Sequence, residues 1–132
     1  MLPPSPGRRA VVIAGLRTPF AKSGTVLQDV TAADLARHCT RELLYRTELP
    51  GDEVDEVIYG QVVPSPLLPN VGREVSLLPQ LPRTVPAYTL NRACASGAQA
   101  ICNATDQIMA GHAVHEEEAA DVREGSRAPG RS

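Results

Sequence analysis

The sequence predicts an α/β fold in the order βαβαβα, a parallel sheet with helices on its faces. Three observations predict it. Short apolar runs end at Gly or start near Pro, as buried parallel strands do. Longer segments between them carry apolar residues at helical spacing. Strand-like and helix-like segments then alternate from residue 10 to about residue 114.

The first run, "AVVIAG" (10–15), reads as a buried strand, and "LRTPFAKSG" (16–24) as a loop in which Pro19 keeps Thr18 extended. Thr31 with Asp34 three residues on resembles a capping box with Asp in place of Glu. Ala32, Leu35, Ala36, Cys39 and Leu43 then recur at helical spacing to about Thr47, and Pro50 and Gly51 close the segment. "VDEVIYGQVV" (54–63) reads as the second strand, and Asn70 is placed to cap a short helix to about Leu78. "TVPAYTL" (84–90) reads as the third strand, with Pro86 near its start where Pro is tolerated. A helix fits Cys94 to Ala110, with Ala98, Ile101, Cys102, Thr105 and Ile108 or Met109 on its inner face and Gly111 at its end.

The predicted domain is residues 10–114, flanked by a disordered leader (1–9) and a disordered tail (115–132). The tail has no apolar period, a run of three Glu and a Gly/Ser/Arg/Pro end. The chain has 132 residues, 42% of them hydrophobic but only 3% aromatic. Its modest core must therefore be built from Val, Leu, Ile and Ala. A net charge of −2 with interspersed signs gives no footprint for nucleic acid or an anionic membrane. No stretch approaches the roughly 18 consecutive apolar residues of a membrane span. No apolar run follows Arg8 and Arg9 as a secretory signal requires. Three cysteines, an odd count, predict reduced thiols and a cytoplasmic location. No G-x-G-x-x-G follows the first strand, and His112 and His115 beside Glu116–Glu118 read as solvated tail, so neither a nucleotide cofactor nor a metal is expected.

"NRACASGAQA" (91–100) carries the chemistry. Cys94 has two readings. It can be a small hydrophobe at a strand–helix junction. It can also be a nucleophile on the first turn of a helix, where unpaired N–H groups and the helix dipole favour the thiolate. The second reading puts it at the carboxyl end of a parallel strand, where open α/β sheets hold ligands. Its own N–H could then help to stabilise an oxyanion. A proton acceptor is not in reach: His112 lies about 27 Å along the same helix, and His38 sits mid-helix at the surface. Cys102, about 12 Å away, is too far for a disulfide.

Residues 10–114 resemble the N-terminal part of the thiolases, particularly the branch of the trifunctional-complex β-subunit. "RTPF", "DLARHCTRELLYRT", "VDEVIYGQVV", "PNVGRE" and "NRACASGAQAI" occur in family order. The resemblance implies acyl exchange between 3-ketoacyl-CoA and CoA through an acyl-thioester on Cys94, with coenzyme A as substrate and no bound cofactor. It implies loop-shaping and dimer-interface roles for Arg17, Thr18, Asn91, Arg92, Ser96 and Gly97, and a homo-oligomer or a thiolase subunit as partner. The condensing enzymes of the same superfamily are the near alternative, and "RTPF" and "NRACASG" favour thiolase.

The match stops at about Val114, where the family continues with an apolar strand and a Gly-Gly stretch. No position here matches the family's CoA-holding loop, its His base or its second, proton-transferring Cys. The expectation is a truncated chain, marginally stable with an incomplete layered sheet, that accepts an acyl group slowly and does not turn over. A non-catalytic paralogue that pairs with a full-length thiolase subunit is the competing expectation.

Overall fold

The computed structural model describes residues 9–112. The predicted tail (115–132), and all of the predicted leader except Arg9, lie outside the described residues.

Helix α1 (Ala32–Thr47) starts where the sequence signals it. Thr31 is extended at the N-cap, and its Oγ1 accepts the Asp34 N–H at 3.1 Å while donating to the Asp34 carboxylate at 2.6 Å. The Thr31 hydroxyl, with help from the Arg37 guanidinium, holds the Asp34 carboxyl below its ordinary range. That support is present above the ordinary carboxylate range and is lost as pH falls through the lowered value. Thr31→Ala removes the cap and is expected to cost about 1 kcal/mol, read as a lower midpoint in chemical denaturation. The helix ends at Glu48, left-handed at φ 53°, before Pro50 is reached.

Strands β1 (Val57–Gly60) and β2 (Ala87–Leu90) pair in parallel, from Val57 opposite Ala87 to Gly60 opposite Leu90. Both are shorter than expected. Pro86 accepts from the Val57 N–H at 3.0 Å but has no N–H to continue the ladder, and the chain turns at Asn91 after Leu90. Between them lies α2 (Val71–Ser76), capped as predicted by Asn70, whose Oδ1 accepts the Arg73 N–H at 3.0 Å. Helix α3 (Ser96–Ala110) follows β2 and ends at left-handed Gly111.

The pleat sorts neighbours onto the two faces of the sheet. Val57 and Tyr59 of β1 pack with Ala36, Val71, Val75 and Leu78, so α1 and α2 cover one face. Tyr59 Oη lies 2.7 Å from Thr40 Oγ1 and 3.2 Å from the Ala36 carbonyl oxygen, and burial pushes its phenol up. Thr89 Oγ1 accepts the Gly72 N–H at 2.9 Å on the same face. On the opposite face Tyr88 Oη accepts from Asn103 of α3 at 3.0 Å, and Gly60 lies against Ser96. The two-stranded parallel sheet is thus layered between α1/α2 and α3.

Two expectations are corrected. Residues 10–15 form no strand: Val11, Val12 and Ile13 are 71%, 83% and 88% exposed. An apolar run becomes a strand only when a ladder partner satisfies its backbone, and among the described residues β1 pairs with β2 alone. The inner face of α3 is also different. Ser96 and Ala100 are buried, with Asn103, Ala104, Gln107 and Ile108 half-buried, whereas Ala98, Ile101, Cys102 and Thr105 are exposed. Small residues let α3 approach Gly60 closely, and that contact sets the rotation of the helix.

Candidate active site

The carboxyl end of β2 and the start of α3 are joined by Asn91–Ala95, and side chains hold this turn rather than a helical ladder. Asn91 Nδ2 donates to the Val62 carbonyl at 2.7 Å, tying the end of β2 to the segment after β1. Asn91 Oδ1 accepts the Ala93 N–H at 2.9 Å. Ser96, 2% exposed, accepts the Arg92 N–H at 2.8 Å and donates its hydroxyl hydrogen to the Ala93 carbonyl at 2.6 Å. The Ala95 N–H reaches the Arg92 carbonyl and the Ser96 N–H the Ala93 carbonyl, both at 3.1 Å.

Within this lacing Ala93 has φ 47°, a left-handed conformation that an alanine adopts at a cost of about 1–2 kcal/mol. Each side-chain hydrogen bond contributes about 1 kcal/mol, so the bonds from Asn91 and Ser96 offset that cost. Cys94 follows directly and is exposed.

Cys94 therefore stands before α3 and not on its first turn. The expected helix start fails by two residues, because left-handed Ala93 turns the chain and the Ser96 hydroxyl occupies the backbone groups behind it. The thiol sits at the carboxyl end of β2 and beside the N-terminus of α3. The buried-hydrophobe reading does not hold, since Cys94 is exposed.

Among the described residues no histidine serves Cys94. His38 is exposed on α1, its Nδ1 2.9 Å from Arg41 Nη2, and His112 lies beyond the far end of α3. His115 lies outside the described residues. The described residues hold no cluster of three or more His, Cys, Asp or Glu that could bind a metal. Of the other motif residues, Arg17 stacks 4.8 Å from the Phe20 ring centre and donates to the Thr18 carbonyl at 3.1 Å, and Arg92 bonds Gln99. The left-handed Ala93 has no sequence signal, because alanine does not mark that conformation. Gly60 had one in its position inside the strand-like run 54–63, where a glycine marks close approach of another backbone.

An apolar groove of about 560 Å³ runs along α3, lined by Val11, Ile13, Ile58, Ala100, Ala104 and Ile108 among others. Cys94 does not line it.

The thiolase N-terminal domain family matches residues 10–115. This chain belongs to the thiolase family. It is 47% identical over 105 residues to a 3-ketoacyl-CoA thiolase of Aeromonas salmonicida, covering 80% of this chain and 24% of that protein. A 3-ketoacyl-CoA thiolase of Escherichia coli is 40% identical over the same length and shares. Among solved structures, human mitochondrial 3-ketoacyl-CoA thiolase in complex with CoA superposes with a TM-score of 0.69 at 37% identity. That match covers 74% of this chain and 25% of the human one. Acat5 thiolase from Ascaris suum in complex with coenzyme A gives 0.70 at 31% identity, over 74% of this chain and 26% of that one. The thiolase chain described here thus spans about a quarter of the length of these relatives.

Proposed function

We propose that this chain carries the acyl-accepting part of a thiolase-type acyltransferase, with Cys94 as nucleophile and coenzyme A thioesters as substrates. The observation that supports it is an exposed thiol at the carboxyl end of a parallel strand, in a thiolase-family chain, on a turn held by side-chain hydrogen bonds from Asn91 and Ser96. The Cys94 sulfur forms a bond to the acyl carbonyl carbon. With a 3-ketoacyl-CoA the carbon–carbon bond breaks and acetyl-CoA leaves as its enolate, which takes up a proton. The CoA thiol then attacks the Cys94 thioester, releasing acyl-CoA and restoring the thiol. This reading assigns the Cys94 N–H as a donor to the carbonyl oxygen. The likeness to 3-ketoacyl-CoA thiolases favours a place in fatty-acid β-oxidation, and three unpaired thiols favour the cytoplasm.

Both proton transfers need a base and an acid that the described residues do not bring to Cys94. With the described residues alone, Cys94 is therefore expected to take up one acyl group and stop. Peptide-level mass spectrometry after incubation with acetyl-CoA provides the test. Acetyl on the Cys94 peptide, in excess over those of Cys39 and Cys102, supports the reading, and equal labelling of the three refutes it.

The second reading, pairing with a full-length thiolase subunit, is favoured by uncovered apolar surface. Val11, Val12 and Ile13 stand in solvent, and Ile101 of α3 is 62% exposed. Stable co-purification with such a subunit, or self-association into a homo-oligomer, is the matching observation.

A further inference from the structure

We infer that Ser96 and Asn91 are positioning residues that hold Ala93 left-handed and thereby fix where the Cys94 thiol points. The inference rests on the reading of Cys94 as the acyl-accepting group and adds what aims it. The φ rotation of Ala93 turns the peptide group before its Cα relative to the one after it. Each of those groups is held by a side chain from outside the rotation: the N–H by Asn91 Oδ1 at 2.9 Å, the carbonyl by Ser96 Oγ at 2.6 Å. Neither partner is itself free to drift. Asn91 is anchored to the Val62 carbonyl, and Ser96 is buried on the first turn of α3 with its oxygen also accepting from the Arg92 N–H. Both ends of the clasp are thus referenced to the sheet and the helix, and Cys94 is the first residue beyond the rotation they fix. When the clasp opens, Ala93 relaxes to negative φ and the small apolar Cys94 side chain can turn inward.

Three cysteines in one chain make this measurable without reference to acyl transfer. Exposed Cys102 on α3 reports intrinsic thiol reactivity, and half-buried Cys39 reports loosening of the fold. In the full chain treated with iodoacetamide, Ser96→Ala is expected to lower the Cys94-to-Cys102 alkylation ratio, by up to the about fivefold change in equilibrium constant that losing one hydrogen bond brings. Cys39 alkylation stays at its wild-type rate. Ala93→Gly, for which a left-handed φ costs little, is expected to restore the ratio in the Ser96→Ala background. A purely structural role for Ser96 would not respond to that second change. An unchanged ratio with unchanged Cys39, or a double variant that stays low, overturns the inference. If Cys39 reactivity rises in Ser96→Ala, exposed Asn91 decides: Asn91→Ala lowering the ratio supports the clasp, and a constant ratio rejects it. Because acetyl-CoA is not a reagent here, a chain that never accepts acetyl can still show the clasp, and the reverse.

Discussion

Gly60→Ala is expected to destabilise the fold by about 3 kcal/mol, the upper end of ordinary overpacking, and to disturb the Cys94 turn with it. A Cβ on Gly60 would lie 2.5 Å from the Ser96 carbonyl oxygen and 2.6 Å from the Gly97 nitrogen. Those atoms are backbone and cannot rotate aside, so either β1 or the first turn of α3 must move. Movement of α3 carries Ser96 away from Arg92 and Ala93, and the strain passes into the residue before the thiol. Domains are stable by about 5–15 kcal/mol, and this one buries few large side chains, so a loss of that size leaves little reserve. The measurement pairs a thermal melt with iodoacetamide alkylation of Cys94. Gly97→Ala is the control: nothing lies within 4 Å of its added Cβ, and alanine in a helix gains up to about 1 kcal/mol over glycine. Similar melting of the two variants would show that the Gly60 contact does not limit stability.

The same contact explains what the sequence could and could not disclose. Helix α1 was legible because its start is local: Thr31 and Asp34 meet across one turn whatever the rest of the chain does. The Asn70 cap of α2 was legible for the same reason. Residues 10–15 were not, because hydrophobicity records the wish to be buried and says nothing of a ladder partner. The rotation of α3 was not, because its segment offers two faces of comparable apolarity. The one containing Ile101 is larger, yet the face of Ser96, Ala100 and Ala104 fits beneath β1 because Gly60 has no side chain. Cys94 was singled out as a candidate from its place after a strand and before small residues. The left-handed residue before it is bonded by Asn91 and Ser96 side chains, which no periodicity encodes.

Cys94→Ser is expected to abolish acetyl transfer from acetyl-CoA to residue 94, a loss to the background of the reagent alone, while the fold is unchanged. Thioester exchange requires an ionised nucleophile, and a serine hydroxyl at this position has no adjacent base among the described residues to activate it. A thiol, by contrast, is a few per cent ionised near neutral pH even without help. The substitution is nearly isosteric and falls on an exposed side chain, so the melt is expected to move by less than about 0.5 kcal/mol. That separation gives the result its meaning: lost acylation with an intact melt assigns the chemistry to the sulfur, not to the turn. Cys102→Ser sits on exposed α3 in the same chain and is expected to leave acetyl uptake at wild-type level. If both variants still take up acetyl equally, the acyl group resides elsewhere and the nucleophile assignment fails. If both lose it equally, uptake reflects general thiol exchange, and the position at the end of β2 confers nothing.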